Sequence, residues 1–136
     1  MHAGFRRTLG GLAAGLVVFG GLTLAALEGQ EVVVVHTRDA NGTLRATRTW
    51  IADEDGYAWV EAANDTRPFL RQLETTPEVD LRRHGAFSRC RALRVANPEG
   101  HRRIRRLLAR KYGWADRWIG LLVDTSGSSA VRLACE

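Results

Sequence analysis

The chain has 136 residues, enough for one folded domain and too few for two. Its 20 basic residues against 15 acidic ones give a net charge of +5, a balance that suits nucleic acid, anionic lipid or a phosphorylated cofactor and singles out none of them. Lys111 is the sole lysine, and the rest of the positive charge is arginine. Neither His2, His36, His84 and His101 nor Cys90 and Cys135 stand at metal-ligand spacing, so no metal site is expected. No Gly-x-Ser-x-Gly or comparable nucleophile signature occurs.

The N-terminus carries the clearest physical signal. Residues 9–27 hold no charge, and a helix of that length spans roughly 28 Å, about one hydrocarbon core. Arg6 and Arg7 precede the run, and Glu28 and Glu31 follow it. The charge rule then favours an uncut single-pass anchor in residues 1–28, with its N-terminus in the cytoplasm and residues 29–136 outside. Arg38 and Arg45 lie not far beyond and reduce the asymmetry, so the side of the membrane stays open. A cleaved signal peptide is the alternative, with Thr23-Leu24-Ala25 as the small-residue site. Gly11 and Gly15 form a Gly-x-x-x-Gly pair of the kind that lets two helices approach, which leaves room for a homodimer.

Beyond Gly29 the periodicity changes. Residues 31–37 contain four consecutive valines and read as a buried strand. Asp39-Ala40-Asn41-Gly42 is a turn, because Asn-Gly accepts positive φ. Residues 43–52 form the second strand, Asp53-Glu54-Asp55-Gly56 a tight turn, and residues 57–63 the third strand. Asp65 or Thr66 is expected to cap a short helix with Pro68 in its first turn. Strands follow at 79–83 and 87–95. Asn97 caps a long helix whose apolar face is Ile104, Leu107, Leu108 and Tyr112. Gly113 breaks it, and Trp114, Trp118, Leu121 and Leu122 continue a helical pattern. Residues 126–129 read as a loop, and 131–134 as a closing strand. Six short antiparallel strands with inserted helices, an α+β arrangement rich in β, favour a small closed or half-closed barrel.

The second strand is where function concentrates. Over 44–50 it reads Leu-Arg-Ala-Thr-Arg-Thr-Trp. Alternation places Arg45, Thr47 and Thr49 on one face and Ala46, Arg48 and Trp50 on the other. Neither face is apolar, and guanidiniums with hydroxyls suit a phosphate; a solvated edge strand would look the same. The crowded acids Asp53, Glu54 and Asp55 fit a turn better than catalysis. Burial statistics favour two separate small thiols at Cys90 and Cys135, although an oxidising compartment would allow them to pair. The arginine-rich helix 101–110 has no interleaved aromatics, so a solvated or headgroup-facing surface is expected there rather than a nucleic-acid site.

The run His36-Thr37-Arg38-Asp39…Gly42…Leu44-Arg45-Ala46-Thr47-Arg48-Thr49-Trp50 resembles the signature of the deazaflavin-dependent nitroreductase and quinone reductase family. The segments Trp59-Val60-Glu61-Ala62-Ala63-Asn64 and Lys111-Tyr112-Gly113-Trp114-Ala115-Asp116 continue the resemblance. It implies a six-stranded antiparallel split β-barrel with flanking helices, akin to FMN-binding pyridoxamine phosphate oxidases. It further implies a cofactor lying against the barrel, between two subunits or under a helical cap. Carried over residue by residue, Arg45, Thr47 and Arg48 match phosphate-binding positions. Thr49 and Trp50 lie nearer the ring, and Ala62, Ala63 and Asn64 match the backbone that passes the cofactor. Arg38 adds charge to the same hairpin. Two departures stand out: the family's Gly-Arg-Lys-Ser-Gly turn is Arg38-Asp39-Ala40-Asn41-Gly42 here, and Thr49 replaces an apolar residue.

The expectation is therefore a membrane-tethered oxidoreductase. It would pass a hydride or electrons from a reduced deazaflavin, or alternatively FMN, to a lipophilic acceptor such as a quinone or nitro compound. The deazaflavin is favoured because Arg38, Arg45, Arg48, Arg102, Arg105 and Lys111 would give an extended positive surface for its long anionic tail. The cofactor carries the redox chemistry, so no protein triad is required. The alternatives are a non-catalytic barrel that binds a flavin or a haem-like ligand, and a cofactor-less membrane-anchored interaction domain.

Overall fold

A computed structural model describes the backbone of residues 2–136 and the side chains from residue 9 onward. The side chains of His2, Arg6 and Arg7, and with them the near half of the charge asymmetry, lie outside the described residues. The elements run α1 (His2–Glu28), β1 (Val32–Arg38), β2 (Leu44–Glu54), β3 (Tyr57–Ala62), α2 (Pro68–Thr75), β4 (Glu78–Arg83), β5 (Ala86–Val95), α3 (Glu99–Tyr112), α4 (Trp114–Leu122) and β6 (Ser129–Cys135). The strands close an antiparallel barrel in the order β1-β2-β3-β6-β5-β4. Within α1, Leu9–Glu28 is long and apolar enough to cross a membrane and is exposed over nearly its whole length.

Alternation along the strands builds two cores. Val33, Val35, Ile51, Val60, Leu81, Val131 and Leu133 point into the barrel, and α2 adds Phe69, Leu70 and Leu73. Ile104, Leu107, Leu108 and Tyr112 of α3 pack outside the barrel on Ala52, Trp59 and Ala130, together with Ala115 of α4 and Ala26 of α1. The four-residue spacings of α3 place its apolar face on the sheet and its arginines around the edge.

β2 is the strand that shapes the site. Its first part, Leu44 to Trp50, pairs with β1. Its last part, Ile51 to Glu54, pairs with β3 on the other edge. The change of partner is fastened by Tyr112. The Ile51 N–H donates to the Tyr112 hydroxyl at 3.1 Å, and that hydroxyl lies 2.9 Å from the Glu31 carbonyl and 2.7 Å from the Ile51 carbonyl, the acceptors it can donate to. Lys111 also donates to the Ile51 carbonyl at 2.7 Å. Buried backbone groups need partners, and here helix side chains supply them where the β1–β2 ladder stops.

Several sequence expectations are corrected. β2 runs to Glu54 because Asp53 and Glu54 still pair with Ala58 and Tyr57. Neither Asp65 nor Thr66 caps α2. Arg67 is the N-cap and makes no side-chain cap bond, while Asp65 is held by Arg94 at 2.6 Å and by the Ser129 hydroxyl at 2.7 Å. Asn97 is not the cap of α3 either: Pro98 is the N-cap, and Asn97 stands one residue before it, its Oδ1 accepting the His101 N–H at 3.0 Å. Gly113, at φ 51°, separates α3 from α4. Ser128 and Ser129 are buried rather than looped out, and β6 begins at Ser129. Cys90 and Cys135 are not two separate thiols. They face each other across β5 and β6 and form a disulfide, with Cα atoms 4.0 Å apart. Burial preference knows nothing of ladder register, and register is what brings them together.

One ion cluster ties the α1–β1 junction to the barrel. Arg83 Nε reaches Glu31 at 2.6 Å and its Nη1 reaches Asp53 at 2.8 Å, with Lys111 also on Glu31. Burial raises the Glu31 pKa, but hydrogen bonds and charge from Arg83 and Lys111 outweigh it and hold the carboxyl down at about 2. A depressed carboxyl pKa stabilises the fold above the unfolded value and loses that contribution as pH falls through the folded one. The chain should lose stability between roughly pH 5 and pH 2, and Glu31→Gln should flatten that limb. Urea midpoints of both chains in detergent at pH 7, 5 and 3 check this; parallel curves would contradict it.

Candidate functional site

Beyond the Ile51 to Val60 pair, β2 and β3 part. Residues 44–50 keep β1 on one edge, and Ala62 keeps β6 on its far edge. A groove of about 520 Å³ opens at this point, floored by the two strands and walled by α1, α3 and α4. Thr47, Arg48, Thr49, Trp50, Ala62 and Ala63 line it, which gathers six residues of the sequence-derived set. Arg38, Arg45 and Asn64 do not line it. Arg38 reaches back to the Gly42 carbonyl at 3.4 Å, Arg45 lies 3.8 Å from Asp39, and Asn64 accepts from the Thr66 hydroxyl at 2.7 Å.

The hairpin turn explains the acid that stands where the resembled family has a different turn. Asp39 Oδ1 accepts the N–H groups of Asn41 and Thr43, each at 2.9 Å. Asp39 therefore shapes the turn as an Asx motif does. The Thr49 hydroxyl spans the parted edges and donates weakly to the Glu61 carbonyl at 3.4 Å. Trp50 stacks on Tyr112, with ring centroids 4.5 Å apart and planes 21° from parallel. The indole is thus fixed by the same tyrosine that fastens the partner change.

The groove's charge is distributed unevenly. Arg48 is open to water and shares Glu28 at 3.3 Å. Arg67, before α2, lines the groove and makes no ion pair among the described residues. No local signal marks it, because Asp65, Thr66 and Pro68 around it read as a helix start. Arg105 comes from α3 and is spent on internal acids, Glu61 at 3.0 Å and Asp116 at 2.7 Å. Burial works against the Arg105 charge, but the Glu61 carboxylate and the Asp116 hydrogen bonds outweigh it and raise its pKa. Lys111 is likewise engaged, by Glu31. The extended positive surface expected from sequence is shortened accordingly, because Arg105 and Lys111 are neutralised inside the fold. Arg103, Arg106 and Arg110 share Glu54 in the same way, at 3.6, 3.4 and 3.6 Å.

No protein-family model matches the sequence, and no curated protein does. Solved structures do match in shape. A candidate pyridoxamine 5'-phosphate oxidase of Listeria innocua superposes with a TM-score of 0.57 at 13% identity, covering 83% of this chain and 90% of that one. HutZ, a haem storage protein of Vibrio cholerae, gives 0.57 at 16% identity, covering 82% and 85%. An F420 reductase gives 0.53 at 17% identity, covering 83% and 92%. The shared feature is the fold, a six-stranded split β-barrel. Identities this low establish the split barrel and nothing about its ligand.

The Arg105 triad is the buried electrostatic element of this split barrel's groove. Removing one partner of a buried ion pair typically costs about 3–5 kcal/mol. Arg105 keeps 22% side-chain exposure, so Arg105→Met should fall at about 3 kcal/mol, the low end of that range. Urea unfolding at pH 7 measures it, and an unchanged midpoint would show that Glu61 and Asp116 do not depend on the guanidinium.

Proposed function

We propose that this split barrel is a membrane-tethered oxidoreductase that holds a flavin-type cofactor in the groove between β2, β3 and the helices. The observation that carries the reading is the composition of that one groove. It joins two guanidiniums with an open hydroxyl, Arg48, Arg67 and Thr47, to an apolar wall that includes Trp50, Leu27, Ile119 and Val123. A flavin-type cofactor has the matching halves, an anionic phosphate end and a flat apolar ring.

The residues present fit such a group. Arg48 and Arg67 would hold the phosphate, with Thr47 donating a further hydrogen bond. The parted strand edges at 47–49 and 62–63 leave backbone donors and acceptors for a ring's polar edge. Trp50, fixed on Tyr112, would limit the ring's tilt and exclude water. The bound cofactor would supply the hydride or electrons, and the protein supplies binding, orientation and electrostatics. A lipophilic quinone or nitro compound is the acceptor class, because Leu27 at the end of α1 is part of the wall.

Between cofactors, the deazaflavin remains the first choice over FMN. With Arg105 and Lys111 engaged elsewhere, that choice rests on Arg45 and Arg38, which continue the positive charge along the hairpin beyond Arg48 and suit an anionic tail. A haem ligand is disfavoured here: haem iron takes an axial His, Cys, Met or Tyr, and among the described residues none that lines the groove is one of these.

Desolvated charge-assisted hydrogen bonds contribute about 1.5–3 kcal/mol. Both guanidiniums stay largely open to water, so Arg48→Ala and Arg67→Ala should each weaken binding about tenfold, near the low end of that range. Arg45→Ala should weaken the deazaflavin more than FMN. Fluorescence titration of the full chain in detergent with each oxidised cofactor tests this. Tight FMN binding without a deazaflavin response would reverse the choice of cofactor, and no response to either would leave the interaction-domain alternative.

A further inference from the structure

α4 is built inside out for a helix on a water-soluble domain. Its repeat of 3.6 residues places Trp114, Trp118, Leu121 and Leu122 on one side. Asp116, 5% exposed, stands on the opposite side toward the barrel, and Ala115, 0% exposed, lies between the two sides. The acid faces inward onto Arg105, while the apolar side faces out. Leu121 is 80% exposed, Trp114 46% and Leu122 45%, and Val123 just beyond is 42% exposed. Apolar outer surface of this kind, gathered rather than scattered, marks an interaction site.

α1 lies against this same helix. The Phe19 and Trp118 rings are 5.5 Å apart, and Trp118 Nε1 donates to the Thr23 hydroxyl at 3.1 Å. Thr23 and Phe19 precede Glu28, the first charge after the apolar run, by roughly 8 and 14 Å along the helix. A bilayer surrounding Leu9–Glu28 therefore reaches the level at which Trp118 is attached. Interfacial helices bury their apolar faces about 5–10 Å into the headgroup and acyl boundary, and tryptophans favour that depth.

We propose that α4 is immersed in the leaflet that holds the C-terminal half of α1, with Trp114, Leu121 and Leu122 covered by lipid acyl chains and Trp118 seated between them and α1. This rests on the membrane reading of α1 made above. Asp116 stays out of the lipid because it points into the protein, and Arg117, flanking the apolar side, can snorkel toward the headgroups. Ile119 and Val123 line the groove together with Leu27 of α1. The groove wall on that side is then in contact with the bilayer, and a lipid-soluble acceptor reaches it laterally without crossing water.

The test uses the full chain in phosphatidylcholine vesicles with nitroxide labels on single introduced cysteines. Both native cysteines are held in the disulfide, so Leu16→Cys, Leu121→Cys and Ser126→Cys each add one reactive thiol. Power saturation with oxygen and with a water-soluble nickel chelate reads the surroundings of each label. The proposal expects the Leu121 label to respond as the Leu16 label does, relaxed by oxygen and shielded from nickel, with the Ser126 label open to nickel. A Leu121 label open to nickel beside a shielded Leu16 label overturns the immersion of α4 and leaves the anchor standing. A Leu121 label shielded from both reagents means that protein covers it, a second copy of the chain, and also overturns the proposal. A Leu16 label open to nickel removes the membrane reading itself and the proposal with it.

Discussion

The change of partner along β2 is the constraint on which the rest of the structure depends. A strand within a closed barrel ordinarily satisfies both edges along its length. β2 instead pairs with β1 up to Trp50 and with β3 from Ile51 onward. The ladder's broken end must be satisfied, and Tyr112 and Lys111 do so from α3. Several features follow from that one fastening. It orients α3 on the barrel, stacks Trp50, fixes Glu31 at the exit of α1, and leaves the opposite edge of residues 44–50 uncovered. Burial raises the Tyr112 pKa to about 12, so the hydroxyl stays protonated and able to donate across the physiological range.

Charge in this molecule is largely internal. Thirteen consecutive residues of α3 and its start, 99–111, hold six cations, yet most of these face acids rather than a ligand. Glu54 holds Arg103, Arg106 and Arg110, Glu61 and Asp116 hold Arg105, and Glu31 holds Lys111. The pairs on Glu54, whose arginines stay open to water, contribute little each. The collective effect of all these pairs is to remove a basic patch that composition alone suggests. At the groove, Arg67 makes no ion pair among the described residues, and Arg48 shares only the exposed Glu28.

The barrel was legible in the sequence because alternation and turn chemistry are local. The valine run, Asn41-Gly42, Gly56 and Gly113 each mark an element or its end by rules that act within a few residues. The 44–50 strand was legible for the same reason, and Thr47, Arg48, Thr49 and Trp50 meet Ala62 and Ala63 along one groove. What escaped depends on three-dimensional register. The disulfide requires Cys90 to stand opposite Cys135. Arg67 becomes a groove residue only because β2 and β3 part beside it. Arg105 reads as a free cation until Asp116, 11 residues on, returns to it from the next helix. The inverted pattern of α4 was visible as a row of apolar positions, but which side faces the barrel was not.

The central claim is that the parted edges of β2 and β3 receive the cofactor. Hydrogen exchange of the full chain in detergent, followed by mass spectrometry with and without the deazaflavin coenzyme, tests it most directly, because the claim concerns backbone groups. The account predicts slowed exchange in peptides covering 47–50 and 62–67, with the β4–β5 turn at His84 and Gly85 unchanged. Protection confined to other strands, or no protection at 47–50 at a cofactor concentration that saturates the fluorescence response, would contradict it.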